Sequence, residues 1–343
     1  MRRLIIIAAA ALMLCSCAKD AVPGTGISST PTYADTVPED EDARESDPSM
    51  TVVSFLADGA ATTGDGAEVT DNTVKITKGG MYYIEGENPE GTVEIDCTDG
   101  VKLVLSDAAI KKISSRSEKA VVTLPAASAS TLEEISAEGA LTFNGSGTLA
   151  VSGEGYAISA DSFKMLGGNI SCDSHGAALV SAGNIDFDGG LFSAGGGEYA
   201  VKSDGAVFVR GATLALEGDC AVCAPSFSVQ DGRVRVFARK SAFDSCLVDS
   251  LGGTLICESL DKVSGGESRF TSEGGLIILA YNSGCMPDVA SKYFSANTDG
   301  SAGKSIRVIS IDSRTLLSYT ARADCTHFVF SDGSTTDGRV SAE

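Results

Sequence analysis

The chain has 343 residues, a formal charge of −20, 39 glycines, no tryptophan and two histidines. That acidity excludes nucleic acid as a partner, because phosphate contact needs clustered lysine and arginine. A glycine-rich chain of this length suits a solenoid, which grows in one dimension without a single large core.

Residues 1–17 read as a bacterial lipoprotein signal. Arg2 and Arg3 form a basic start, Leu4 to Leu14 an apolar run too short to span a bilayer, and Leu14-Cys15-Ser16-Cys17 a lipobox. Cys17 is then the lipid-attachment residue, and the absence of aspartate at Ala18 directs the protein to the outer membrane or cell surface. Residues 18–50 are rich in Pro, Ser, Thr, Asp and Glu, including Glu39-Asp40-Glu41-Asp42. Such a segment buries too little apolar surface to fold and reads as a disordered acidic tether.

The folded part is expected over residues 51–343. Val52 to Leu56, Val74 to Thr77, Lys78 to Gly86, Thr92 to Asp96 and Val101 to Leu105 are strand-like runs. Thr131-Leu132-Glu133-Glu134 suggests a helical turn at a short insertion. A clear repeat then runs from Leu141 to about Leu255. Its mark is a triplet, Tyr156-Ala157-Ile158, Ala177-Ala178-Leu179, Tyr199-Ala200-Val201, Cys220-Ala221-Val222 and Ser241-Ala242-Phe243, recurring every 21–22 residues. Phe143, Met165, Phe187 and Val209 form a second column. Val151, Cys172, Ala194, Leu216, Val236 and Cys257 form a third, and glycine turns separate the columns. Three apolar runs per period, each too short for a helix, are the coils of a parallel β-helix, which bury their faces only by stacking. Within each triplet the third residue is expected to point inward with the first, leaving the alanine outside; the reverse assignment stays open. The repeat is expected to loosen into a loop from Asp261 to Glu273. Capping strands are expected from about residue 275, to keep the open end from pairing with another chain.

The stretch Lys78-Gly-Gly-Met-Tyr-Tyr-Ile-Glu-Gly86 followed by Val101-Lys-Leu-Val-Leu-Ser-Asp-Ala-Ala-Ile110 resembles the opening of a family of bacterial carbohydrate-binding domain-containing proteins. Leu141-Thr-Phe-Asn-Gly-Ser-Gly-Thr-Leu-Ala-Val151 and Met165-Leu-Gly-Gly-Asn-Ile170 resemble its internal repeats. Gly284-Cys-Met-Pro287 and Leu317-Ser-Tyr319 resemble its closing segment. The resemblance spans about Val52 to Val340. It implies an all-β fold, a single-stranded right-handed parallel β-helix similar to pectate lyases, with polysaccharide as ligand, acidic glycans among the candidates, and calcium as a candidate cofactor. One departure bears on calcium: coils of the family often carry Asp-Gly-Ile where this chain has Tyr-Ala-Ile or Cys-Ala-Val.

Candidate calcium or sugar contacts are Asp161, Asp204 and Asp244, which follow triplets, and Asp173 and Asp219, which precede them. Positions two coils apart lie roughly 10 Å apart, whereas calcium holds each oxygen at about 2.4 Å. Arg233, Arg235, Arg239 and Lys240 form a local basic patch suited to an acidic glycan. Cys220-Ala-Val-Cys223 has the spacing of a redox or zinc half-site but lacks a matching second pair, so the eight cysteines beyond the lipobox read mainly as small buried residues. Neither His175 nor His327 has a second histidine at metal spacing, and no phosphate loop or nucleophile elbow occurs. The expectation is a monomeric, lipid-anchored envelope protein that binds polysaccharide without cleaving it. The alternatives are a calcium-dependent polysaccharide lyase and a structural or adhesive surface protein with a protein partner.

Overall fold

The computed structural model describes residues 49–298 and 301–343. The expected signal peptide, Cys17 and all but the last two residues of the expected tether lie outside the described residues. Among the described residues there are strands and turns but no helix, and the strands wind into a parallel β-solenoid of about ten turns.

Each coil contributes to three sheets. Sheet I contains Ala140–Gly145, Ser162–Met165 and Ile185–Phe187. Sheet II contains Thr148–Gly153, Asn169–Ser174 and Leu191–Gly196. Sheet III contains Tyr156–Ala160, Ala177–Ser181 and Tyr199–Ser203. Neighbouring coils pair in parallel one period apart: Phe143 faces Met165, Val151 faces Cys172 and Ile158 faces Leu179. Later coils run through the corners as long, bulged strands, Val207–Cys223 and Ser226–Asp244.

The repeating columns are the core. Phe143, Met165, Phe187 and Val209 are fully buried, as are Ile158, Leu179, Val201, Val222 and Phe243. Phe143, Phe163, Phe187 and Phe192 form a stack with centroid separations of 5.0–6.1 Å. Each such pair contributes about 0.5–1.5 kcal/mol beyond its burial.

Four details differ from the expectation. The triplet alanines point inward: Ala157, Ala178, Ala200, Ala221 and Ala242 are fully buried, while Tyr156 is 45% exposed. The ladder pairs Tyr156 with Ala177 and Ile158 with Leu179 but skips the alanine between. Strict alternation therefore breaks at the corner entering sheet III, where only a small side chain fits inside the bend. The helical turn expected at Thr131 to Glu134 is instead strand, Ala129–Leu132 and Glu134–Ala137, continuing sheets II and III. The loop expected from Asp261 to Glu273 holds Lys262–Gly265 and Arg269–Ser272, which extend sheets III and I. Short polar strands in those places are carried by the register of their neighbours more than by their own apolar content.

The fourth difference is the C-terminal part, which does more than close an end. His327–Gly333 pairs antiparallel with Leu276–Tyr281, the last strand of sheet II, and Lys292–Asn297 pairs with it in turn. A separate three-stranded sheet of Ser305–Ser310, Thr315–Thr320 and Gly338–Ala342 follows. A second hydrophobic cluster joins Ile306, Val308, Tyr319 and Phe330 to Ile256, Ile278 and Ala280. Those last three stand on the outer face of sheet II, so the C-terminal segment lies against the flank of the solenoid. At the other end, the hairpins Thr51–Leu56/Gly59–Thr63 and Ala67–Thr70/Thr73–Ile76 flank the first coils. The Asn88 amide, 2% exposed, ties them together by donating to the Leu56 and Gly59 carbonyls and to Asn72 Oδ1.

Candidate functional site

One outward column of sheet II reads Ala150, Ser171, Ser193, Ala215, Arg235, Ile256, Ile278 in register. The first four are small and exposed or half-buried; the last two are fully covered by the C-terminal segment. The next column runs Ser152, Asp173, Gly195, Glu217, Phe237, Glu258, Ala280, mixes small with acidic residues, and is likewise buried at its last two members. A flat floor of small residues therefore ends against a wall. At that boundary lies a cleft of about 120 Å³, floored by Ser193, Gly195 and Ala215 and walled by Arg235, Phe237 and Arg322. Its volume is that of a compact chemical group, and the floor beyond it stays uncovered over the earlier coils.

The wall is held by charge. Glu258, 1% exposed, accepts hydrogen bonds from the Arg322 N–H at 2.8 Å and the Ala323 N–H at 3.3 Å, and pairs with Arg235 at 3.1 Å. Arg235 also donates to the Thr320 carbonyl. A buried carboxylate is tolerated only when it is satisfied in this way. The Arg322 guanidinium stacks over Phe237 at 4.3 Å and pairs with Glu217. Glu217 also receives Arg239 at 3.3 Å, and Arg239 pairs with Asp219 at 2.7 Å while donating to the Gly196 and Gly197 carbonyls. Lys240 reaches Asp219 at 2.6 Å. The hydrogen bonds from Lys240 and then Arg239 hold the Asp219 carboxyl below its usual range. Behind the wall, burial pushes the Cys325 thiol up to about 12 and the Tyr319 hydroxyl well above its ordinary value.

The expected site residues divide into two groups. Asp173, Asp219, Arg235, Arg239 and Lys240 are brought to sheet II and its corner with sheet III. Asp173 lies at the floor edge, where a Cβ on Gly195 would come 3.1 Å from its Oδ1. The basic patch, however, is not an open cationic surface: Glu217, Asp219 and Glu258 pair with three of its four members, and the fourth, Arg233, is exposed. Asp161 and Asp204 stand exposed after sheet III strands that are two coils apart, with Ala182 between. Asp244 stands in a different column, in line with Lys202 and Cys223. The five aspartates thus do not converge, and among the described residues no three His, Cys, Asp or Glu side chains are gathered to hold a metal ion. They do not fit a shared calcium site.

Glu217, Phe237, Glu258 and Arg322 were not anticipated. The switch of the outward columns from small residues to Phe237, Ile256 and Ile278 is the signal that marks where something covers the face.

The family described as carbohydrate-binding domain-containing protein matches residues 70–274, more than half of the chain. Comparison with curated proteins finds no match. Among solved structures, a polysaccharide lyase-like protein from C. thermocellum, determined as a gadolinium derivative, is similar at 21% identity. The alignment covers 64% of this chain and 95% of that one, with a TM-score of 0.49.

Proposed function

The chain belongs to the carbohydrate-binding domain-containing protein family, and from that premise we propose that it binds polysaccharide in the cleft on sheet II without cleaving it. The observation that carries this reading is the floor of small residues ending at Arg235, Phe237 and Arg322. A concave site orients its ligand through a few fixed polar groups, and the wall supplies them beside the floor. Glu217 and the Arg322 guanidinium offer an acceptor and donors side by side, which suits vicinal hydroxyls, and Arg322 also suits a carboxylate.

Binding without cleavage is favoured because the cleft arginines are each paired with a carboxylate. Their donors are committed to those carboxylates, so none stands free as a base to remove a proton from a sugar. The proposal includes a lipid on Cys17 and residence at the outer membrane or cell surface as a monomer. It rests there on the basic start, the short apolar run and the cysteine that follows.

The test is binding to an array of neutral and acidic polysaccharides, with calcium and with chelator. Binding by the wild-type chain, weakened in Arg322→Ala and free of unsaturated sugar products, supports the reading. Release of such products would show cleavage. Failure to bind any glycan sinks the proposal and moves weight to a protein partner.

A further inference from the structure

Sheet III carries its own exposed feature around the corner from the cleft. Tyr156, Ala177 and Tyr199 are successive members of one outward column. Tyr156 is 45% exposed and Tyr199 half-buried, while Ala177 between them is 2% exposed. The Tyr156 ring packs near Gly176, where a Cβ would meet its Cε1 at 3.8 Å. Two rungs separate the two backbone positions by roughly 10 Å along the solenoid axis, and the one residue between them in the column is the small Ala177.

Polar groups accompany the rings. Ser159, Val180 and Lys202 form the neighbouring outward column. The Lys202 ammonium lies over one face of the Tyr199 ring, 5.4 Å from its centroid, which leaves the other face for a sugar, and none of the described carboxylates lies within ion-pair distance of Lys202. Neither tyrosine hydroxyl has a hydrogen-bond partner among the described residues. Burial, followed by the nearby Cys223 and Cys220 thiols, pushes the Tyr199 hydroxyl up to about 12, so it remains a donor at neutral pH. The face also continues from the cleft: Arg239 bridges to Gly196 and Gly197 at the corner, two residues before Tyr199.

We propose that Tyr156 and Tyr199 form a stacking platform for a pyranose chain lying along the solenoid axis, with Lys202 and the two hydroxyls contacting its substituents. This rests on the carbohydrate-binding reading but names a second contact surface, one that acts through apolar sugar faces. An aromatic ring beside free donors is what an amphipathic sugar ring requires. Ala177 is part of the device, since a larger side chain there would stand between the two rings.

The experiment measures affinities of the full chain for oligosaccharides derived from cellulose, xylan and pectin, by titration calorimetry. Tyr156→Ala and Tyr199→Ala are each expected to weaken binding about tenfold, whereas Tyr156→Phe and Tyr199→Phe keep the ring and stay within about threefold. Melting curves establish that the variants fold, and Tyr156, being exposed, is the safer of the two. If Arg322→Ala weakens binding while both alanine variants bind like wild type, the platform is wrong and the cleft reading stands. If wild type binds none of the oligosaccharides, both are wrong.

Discussion

At the scale of single residues, two carboxyls drawn partly or wholly out of water do two kinds of work. Asp249 faces outward on sheet I and accepts the Ser228 hydroxyl at 2.8 Å. Burial raises its pKa, with the Ser228 hydrogen bond acting in the other direction. A carboxyl whose pKa is higher folded than unfolded binds its proton more tightly in the folded state. Its contribution is therefore favourable at low pH and is lost as pH rises through the folded value, leaving a penalty at neutral pH. Asp249→Asn keeps an acceptor for Ser228 and removes the charge. Its melting temperature should exceed wild type by about 1–3 °C at pH 7, and the gain should vanish near the ordinary carboxylate value of about 3.9. An equal gain at both pH values would show that charge is not the cause. Glu258 does the opposite work, since two N–H groups and a guanidinium depend on it. Glu258→Ala should cost about 3 kcal/mol in urea unfolding and increase hydrogen exchange at Arg322 and Ala323. A loss within measurement error would remove it as the anchor of the wall.

At the scale of elements, coils stack closely enough that their turns touch backbone to backbone. Gly145, at the end of its sheet I strand, has a φ of +92°, and a Cβ there would come 2.1 Å from the Leu124 carbonyl oxygen of the previous coil. Both the left-handed backbone and the contact exclude other residues. Gly145→Ala should therefore destabilise by at least about 2 kcal/mol, visible as an earlier urea midpoint. A wild-type midpoint would mean that the turn can move aside. The glycines between columns were legible as turns from their spacing. The polar strands Ala129–Leu132 and Lys262–Gly265 were not, because their strand character comes from neighbouring coils.

At the scale of the whole molecule, a solenoid of parallel coils has ends, and its last strand is an edge. The C-terminal segment covers both the edge of Leu276–Tyr281 and the outward Ile256, Ile278 and Ala280. A chain ending after Ser283 would expose an apolar face and an unpaired edge together. It should self-associate, eluting in size-exclusion chromatography as species larger than those of the full chain. A truncated chain that runs as a compact monomer would deny the segment its covering role. The same segment supplies Arg322 to the cleft, so protection of the solenoid and construction of the site are one event.

The amino-acid sequence by itself determined the coil, its period and its inward columns. Each coil repeats one apolar pattern, and equivalent side chains such as Phe143, Met165 and Phe187 must meet when coils stack. Tertiary structure alone decided which way the triplets turn at the corner, where the backbone bends and alternation lapses between Tyr156 and Ile158. It also decided the site. Arg322 meets Glu258 across 64 residues and Glu217 across 105, separations over which no local pattern operates. The arginines near Glu217 and Glu258 read as an open basic patch only while the carboxylates that pair with them are out of view. Their pairing depends on neighbouring coils and on a segment that comes back to the flank of sheet II after the repeat has ended.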